Sequence, residues 1–119
     1  RLAKIYDDMT MLIDTYKPNA IAVEELFYHS NAKTVIGVAQ GRGNVLTAAA
    51  KTNTDIYEYT PLQVKQAVVG YGRADKKQVQ MMVKALLNLD KIPKLGDTTD
   101  AMAIAICHAH SNKFAKTIL

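Results

Sequence analysis

The run Ala20–Val23 constrains the fold more than any other stretch of the sequence. All of its residues are apolar and none alternates with a polar one, which is the pattern of a strand buried on both faces. Strands of that kind occur in parallel sheets that are covered by helices. Apolar residues recur at helical spacing on either side of the run. The sequence therefore predicts an α/β fold.

The remaining periodicity predicts helix, strand, helix, strand and then three helices. Two strands are too few for a stable parallel sheet covered by helices, so further strands either escape notice or precede Arg1. A start without Met, inside a helical pattern, also leads us to expect a piece of a longer protein. The predicted ranges are helix 1–16, strand 20–25, a helix from its cap Asn31 to about Lys51, strand 55–59, and helices 61–69, 76–89 and 97–112.

Local signals support two of these helices. Thr60 and Gln63 form a capping-box pair around a proline at the first helical position, and Asp75 and Gln78 form a second pair. The helix that follows Asn31 contains glycines, which a helix retains where another backbone packs close to it. A helix–helix or dimer contact and a loosely wound or broken helix both fit that observation. The glycines are Gly37, Gly41 and Gly43.

Length, composition and net charge limit the classes of protein to which the chain can belong. A length of 119 residues with 49% hydrophobic residues is enough for one globular domain with its own core. No apolar run approaches the roughly 18 residues of a membrane helix, so we expect no membrane association. The single cysteine, Cys107, excludes an internal disulfide and fits a reducing compartment. The net charge of +4 permits a polyanionic partner without requiring one.

Carboxylates near two predicted element ends are candidates for a metal site. Asp97 and Asp100 share one face at the start of the last predicted helix, whose small residues would let it approach a strand. Glu24 and Glu25 end the first strand and point to opposite sides of it, so one of them can face the aspartates. Such an oxygen-rich cage suits a hard divalent cation. The plainer alternative assigns no metal to these acids. In it Asp97 caps the helix, Asp100 is a favourable charge in its first turn, and both glutamates are solvated.

Aromatic and basic residues elsewhere in the sequence are compatible with a nucleic-acid partner. Phe27 and Tyr28 follow the first strand in a predicted loop, where an exposed ring can stack on unpaired bases or fold back onto the core. Basic residues cluster in the third and fourth predicted helices and the turn between them, where phosphate contact and a solvated helix face both fit. They are Lys65, Arg73, Lys76, Lys77 and Lys84.

Longer motifs follow one another from Arg1 to about Asn112. They are RLAKIY, KPNAIAVEELFYHSNA, GVAQGRG, EYTPLQVKQAVVGYGRADKKQVQ and DTTDAMAIAICHAH. In this order they resemble the RuvC-type Holliday-junction resolvases, which are bacterial crossover-junction endodeoxyribonucleases of the RNase H-like superfamily. The resemblance implies an RNase H-like fold, a mixed sheet flanked by helices, with residues 1–119 as one partial nuclease domain. The family's first three antiparallel strands have no counterpart in this sequence, so we expect them to precede Arg1.

The resemblance also assigns roles to the acids. Glu24 matches the family's acid at the end of the central strand, and Asp97 and Asp100 match the pair at the last helix. In the family these catalytic residues bind two Mg²⁺ or Mn²⁺ ions together with a first-strand aspartate in an Asp-x-Gly motif. No such motif occurs in this chain. We therefore expect residues 1–119 by themselves to cleave DNA poorly or not at all.

DNA contacts and partners follow from the same resemblance. Phe27 matches an aromatic residue that stacks on bases, and Lys65 and Lys76 match residues that handle DNA near the scissile phosphate; we add Arg73 because of its charge. The helix from Asn31 matches the dimer-forming helix. The implied function is resolution of four-way (Holliday) junctions in recombination and repair, in the bacterial cytoplasm, by paired hydrolysis of phosphodiesters. The implied partners are junction DNA, a second copy of the chain and a branch-migration helicase complex.

Two other functions fit the same residues. A RuvC-like module that binds branched DNA without cutting it would need the basic residues but not the carboxylates. A different RNase H-like nuclease would act on RNA or on RNA–DNA hybrids.

Overall fold

A computed structural model describes residues 1–25 and 32–111, and it describes residues 32–35 by their backbone alone. In this part of the chain the helices and strands follow the predicted order, and none of the helices is long and apolar enough to cross a membrane. The predicted loop with Phe27 and Tyr28, and the cap Asn31, lie outside the described residues. The elements are α1 Leu2–Tyr16, β1 Ala20–Glu24, α2 Ala32–Lys51, β2 Asp55–Tyr59, α3 Pro61–Val69, α4 Lys76–Leu86 and α5 Gly96–Ser111.

The two strands are neighbours in one sheet. The N–H of Glu25, directly after β1, donates a hydrogen bond of 2.8 Å to the carbonyl of Tyr59 at the end of β2. The carboxyl ends of both strands therefore lie side by side, so the pair is parallel. The crossover connection between the strands contains α2. The α/β class is confirmed. The sheet within the described residues has two strands, so the mixed sheet with further strands stays a prediction.

The chain divides into two compact units, and the division falls within both strands. The first unit contains Arg1–Ile21 and residues 32–57. In it α1 packs against α2, which is one continuous helix, so the alternative of a broken helix is wrong. A Cβ added at Gly41 would lie 3.8 Å from Cδ1 of Ile5 in α1. The buried residues of this unit are Ile13, Ala48, Ala49, Thr54 and Ile56.

The second unit contains Ala22–Glu25 and residues 58–111, in which α3, α4 and α5 pack against one another. Of the small residues near the start of α5, Ala103 is buried, whereas Ala101 and Ala105 are exposed. The helix period places Ala103 on the face that packs and the other two alanines away from it. The buried residues of this unit are Tyr59, Val64, Val68, Ala74, Val79, Val83, Thr99, Ala103, Ile106 and Cys107.

Local capping sets where α3 and α4 begin. The hydroxyl of Thr60 accepts a hydrogen bond of 3.1 Å from the N–H of Gln63, and the Asp75 carboxylate accepts one of 2.8 Å from the N–H of Gln78. Both glutamine side chains bond back to the cap residue, so both predicted capping boxes are confirmed. The prediction that α4 continues to residue 89 is wrong. Asn88 has a φ of 54°, and this left-handed backbone ends the helix early.

Candidate active site

A cavity of about 280 Å³ in the second unit contains charged side chains of both signs. Glu24 reaches it from the end of β1, Lys65 from α3, Lys76 from the first turn of α4, and Asp100 from α5. Charged groups thus meet at one place from elements that are far apart along the chain. Apolar side chains form the remaining wall, and they are Pro61, Val64, Val79, Ala103 and Ile104.

Glu24 and Asp100 are the two predicted metal ligands that line this cavity together. Partial burial raises the pKa of the Glu24 carboxyl above its ordinary value, and the negative charge of Asp100 raises it further. Two carboxylates that repel each other at one cavity favour a cation between them. Their oxygen atoms are the donors that Mg²⁺ and Mn²⁺ prefer, so the pair fits a divalent cation.

Asp97, the third predicted ligand, lies in the first turn of α5 and is exposed. It is not among the residues that line the cavity. Within residues 1–25 and 32–111 no three His, Cys, Asp or Glu side chains lie close enough to hold a metal ion. The role of Asp97 as a ligand therefore stays a prediction, as do the roles of Glu24 and Asp100.

The predicted DNA-binding residues fall into three groups. Lys65 and Lys76 line the cavity, and the Lys76 ammonium lies 3.9 Å from Oδ2 of Asp100. Arg73 is exposed in the turn between α3 and α4 and does not line the cavity. Phe27 lies outside the described residues. Charge clustering along the sequence thus identified the two lysines, but it did not separate them from Arg73.

Side-chain contacts hold α5 in the position that presents Asp100 to the cavity. Tyr59 at the end of β2 is hydrogen-bonded through its hydroxyl to Nδ1 of His108 at 2.5 Å, and their rings are tilted by 57°. Nδ1 of His110 donates to the carbonyl of Ala67 in α3 at 3.1 Å. Both histidines therefore take part in the packing of α5. Sequence reasoning missed Tyr59, because no local pattern indicates a partner 49 residues away.

Cys107 also belongs to this packed face of α5. Its thiol is buried and lies 3.7 Å from the carbonyl oxygen of Gln63 in α3. Burial raises the pKa of the Cys107 thiol, and a hydrogen bond with Ser111 partly opposes that rise. This environment is that of a small core residue and not of a reactive thiol.

Comparison with known proteins identifies the family. The family model for Crossover junction endodeoxyribonuclease RuvC matches residues 1–108. The chain belongs to the RuvC family. The RuvC of Caldanaerobacter subterraneus is 55% identical over 118 residues, which are 99% of this chain and 72% of that protein. The RuvC of Desulfitobacterium hafniense strain DCB-2 is 60% identical over 111 residues, which are 93% of this chain and 67% of that protein.

Solved structures of a RuvC protein share the fold. Thermus thermophilus RuvC is 34% identical and superposes with a TM-score of 0.90, over 98% of this chain and 72% of that one. Thermus thermophilus RuvC in complex with a Holliday junction substrate superposes with a TM-score of 0.93, again over 98% of this chain and 72% of that one. The predicted family is confirmed. These matches do not support the expectation of a missing N-terminal portion, which stays a prediction.

Proposed function

We propose that this RuvC-family chain is a structure-selective endonuclease that resolves four-way (Holliday) DNA junctions in recombination and repair. One observation supports it above the others: Glu24 and Asp100 line the same cavity as Lys65 and Lys76. Carboxylates can hold the cations of metal-assisted phosphodiester hydrolysis, and ammonium groups can bind the phosphate. Bacterial relatives at 53% and 60% identity are named crossover junction endodeoxyribonucleases.

In this proposal Glu24 and Asp100 hold Mg²⁺ or Mn²⁺ together with Asp97 and an aspartate on a strand before Arg1. When bound, two such ions supply an activated water and stabilise the charge that develops on the leaving 3′ oxygen. Lys65 and Lys76 bind the phosphate by charge, and Arg73 binds the DNA further from the cavity. Phe27 stacks on a base at the opened junction.

The proposed assembly is a homodimer that presents two such sites to opposite strands of a junction. The proposed contact is α2, because a Cβ at Gly37 or Gly43 would meet no atom of the described residues within 4 Å. That open space lets a second backbone approach the helix closely. A branch-migration helicase complex is the further partner, and the bacterial cytoplasm is the expected location.

A junction assay with Mg²⁺ tests the proposal, with binding and cleavage measured on the same samples. It uses residues 1–119 and a longer version in which strands carrying an Asp-x-Gly motif precede Arg1. We expect both to bind the junction, and the longer version to make paired nicks while it spares linear duplex. Cleavage by residues 1–119 should be weak. Glu24→Gln and Asp100→Asn in the longer version should each lower the cleavage rate by at least about 10²-fold.

A branched-DNA-binding module that does not cut is the second candidate. The position of Asp97 favours it, because this acid does not line the cavity with Glu24 and Asp100. In that case the longer version would bind the junction and leave it whole, and Asp100→Asn would not change the affinity. A preference for an RNA–DNA hybrid over the junction in a competition assay would contradict both candidates.

A further inference from the structure

We propose that Lys76 is the counter-cation of Asp100 in the metal-free protein, that a divalent cation displaces it, and that Gly96 provides the space for this exchange. The inference rests on the proposed function, since it assigns Asp100 to a divalent cation. It concerns how the chain's own lysine and the metal share one carboxylate.

The side chain of Lys76 lies against the start of α5. Nζ of Lys76 lies 3.9 Å from Oδ2 of Asp100. The ammonium reaches that place by passing over Gly96, the first residue of α5. A Cβ at Gly96 would lie 2.9 Å from Nζ and 3.2 Å from Cε of Lys76. Any side chain at position 96 would therefore push the end of Lys76 away from its present place.

The contact between Lys76 and Asp100 is weak enough to exchange. The side chains of Lys76 and Asp100 are 64% and 51% exposed, and ion pairs at that exposure contribute little stability. Lys76 is also the first residue of α4, and its ammonium lies over the first residue of α5. Helix N-termini disfavour positive charge, so the carboxylate is the group that holds the ammonium there. A cation with two charges competes successfully for such a carboxylate.

By this exchange, metal binding strengthens the binding of DNA. Once the metal takes Asp100, the Lys76 ammonium loses its partner while it still lines the cavity beside Lys65. It is then available to a phosphate group. Metal and DNA thus bind with positive coupling, and by linkage DNA raises the affinity for the metal by the same factor.

The test measures Mn²⁺ binding to the longer version defined for the junction assay, without DNA, by the EPR signal of free Mn²⁺. Lys76→Met removes the competing charge, and Gly96→Ala displaces it while all charges remain. Position 96 has no left-handed backbone, so alanine fits its conformation. We expect both variants to bind Mn²⁺ about two- to fivefold more tightly than the wild type. This ratio corresponds to the free energy that an exposed ion pair contributes. Lys77→Met, the matched control, removes a neighbouring charge outside the cavity and should change the affinity less.

A double variant separates the exchange from a general structural effect. Since Gly96 acts through Lys76, adding Gly96→Ala to Lys76→Met should give no further gain. Additive gains, or gains no larger than that of Lys77→Met, would overturn the inference. Melting curves of every variant establish that each one is folded. If Asp100→Asn leaves Mn²⁺ binding unchanged, the proposed metal site fails and the exchange fails with it; if Asp100→Asn abolishes binding but the Lys76 and Gly96 variants match the wild type, the exchange alone fails.

Discussion

At the scale of single residues, Glu24 and Asp100 line one cavity and their negative charges repel each other. Burial and the charge of Asp100 raise the pKa of Glu24, so the folded protein favours its protonated form. The stability that this protonation contributes is present at low pH and is lost as the pH rises through the raised pKa. When the pH lies above this raised pKa, the ionised Glu24 therefore destabilises the fold of the metal-free protein, and a bound cation would remove that cost.

Glu24→Gln should accordingly raise the melting temperature of the metal-free protein at pH 7. Because the side chain is partly exposed, we expect a gain of no more than about 1–4 °C. The gain should shrink towards pH 4, where wild-type Glu24 is protonated as well. Added Mg²⁺ should stabilise the wild type more than the variant. Differential scanning fluorimetry over this pH range, with and without Mg²⁺, measures both effects.

Glu25→Gln is the matched control, since it removes the same charge from the next position. Glu25 does not line the cavity, so its replacement should not reproduce the dependence on Mg²⁺. Equal gains in the two variants, or a gain for Glu24→Gln that grows as the pH falls, would contradict the prediction.

At the scale of elements, α4 matters because it presents Lys76 from its first turn. The turn is held by the capping box of Asp75 and Gln78, whose two hydrogen bonds are both 2.8 Å long. Gln78 also donates a hydrogen bond of 2.6 Å to the Tyr71 hydroxyl, which connects the helix start to the preceding turn. The position of the Lys76 side chain thus depends on a cap that lies next to it in sequence.

Asp75→Ala should lower the free energy of unfolding by about 1 kcal/mol, because the side chain that satisfies the N–H of Gln78 is lost. Urea unfolding monitored by circular dichroism measures the change. Asp75→Asn is the control, since asparagine caps a helix about as well as aspartate and should retain most of the stability. Equal losses in the two variants would show that the charge of Asp75, and not its cap, stabilises this region.

At the scale of the whole molecule, the net charge of +4 favours DNA binding but does not locate it. The structure distinguishes lysines that line the cavity from lysines elsewhere. Lys65 lines it, whereas Lys4 in the first unit is 3.2 Å from Asp8 on the same helix. Only a lysine that neutralises a phosphate releases counterions when DNA binds.

Lys65→Met should therefore reduce the slope of log affinity for junction DNA against log salt concentration by about one unit. Lys4→Met changes the net charge by the same amount and should leave that slope unchanged. Fluorescence anisotropy over a salt series measures both. A slope that depends on net charge alone, and thus falls equally in the two variants, would place the DNA away from the cavity.

The sequence by itself determined the order and nature of the elements. Helix periodicity, the apolar run of β1 and the two capping boxes act between residues that are close in sequence, so a single chain shows them directly. The acids and lysines were recognisable for a related reason, since the oxygen and ammonium groups that a metal and a phosphate require belong to few residue types.

Only the tertiary structure decided which of these groups meet. Glu24, Lys65, Lys76 and Asp100 reach one cavity, whereas Asp97 and Arg73 do not, although their charges and spacing look equally suitable in sequence. The sequence likewise did not predict three other contacts. They are the ion pair of Lys76 with Asp100, the approach of Lys76 to Gly96, and the hydrogen bond between Tyr59 and His108. Each depends on the packing of α3, α4 and α5, which is set by the fit of buried side chains from distant parts of the chain and not by local pattern.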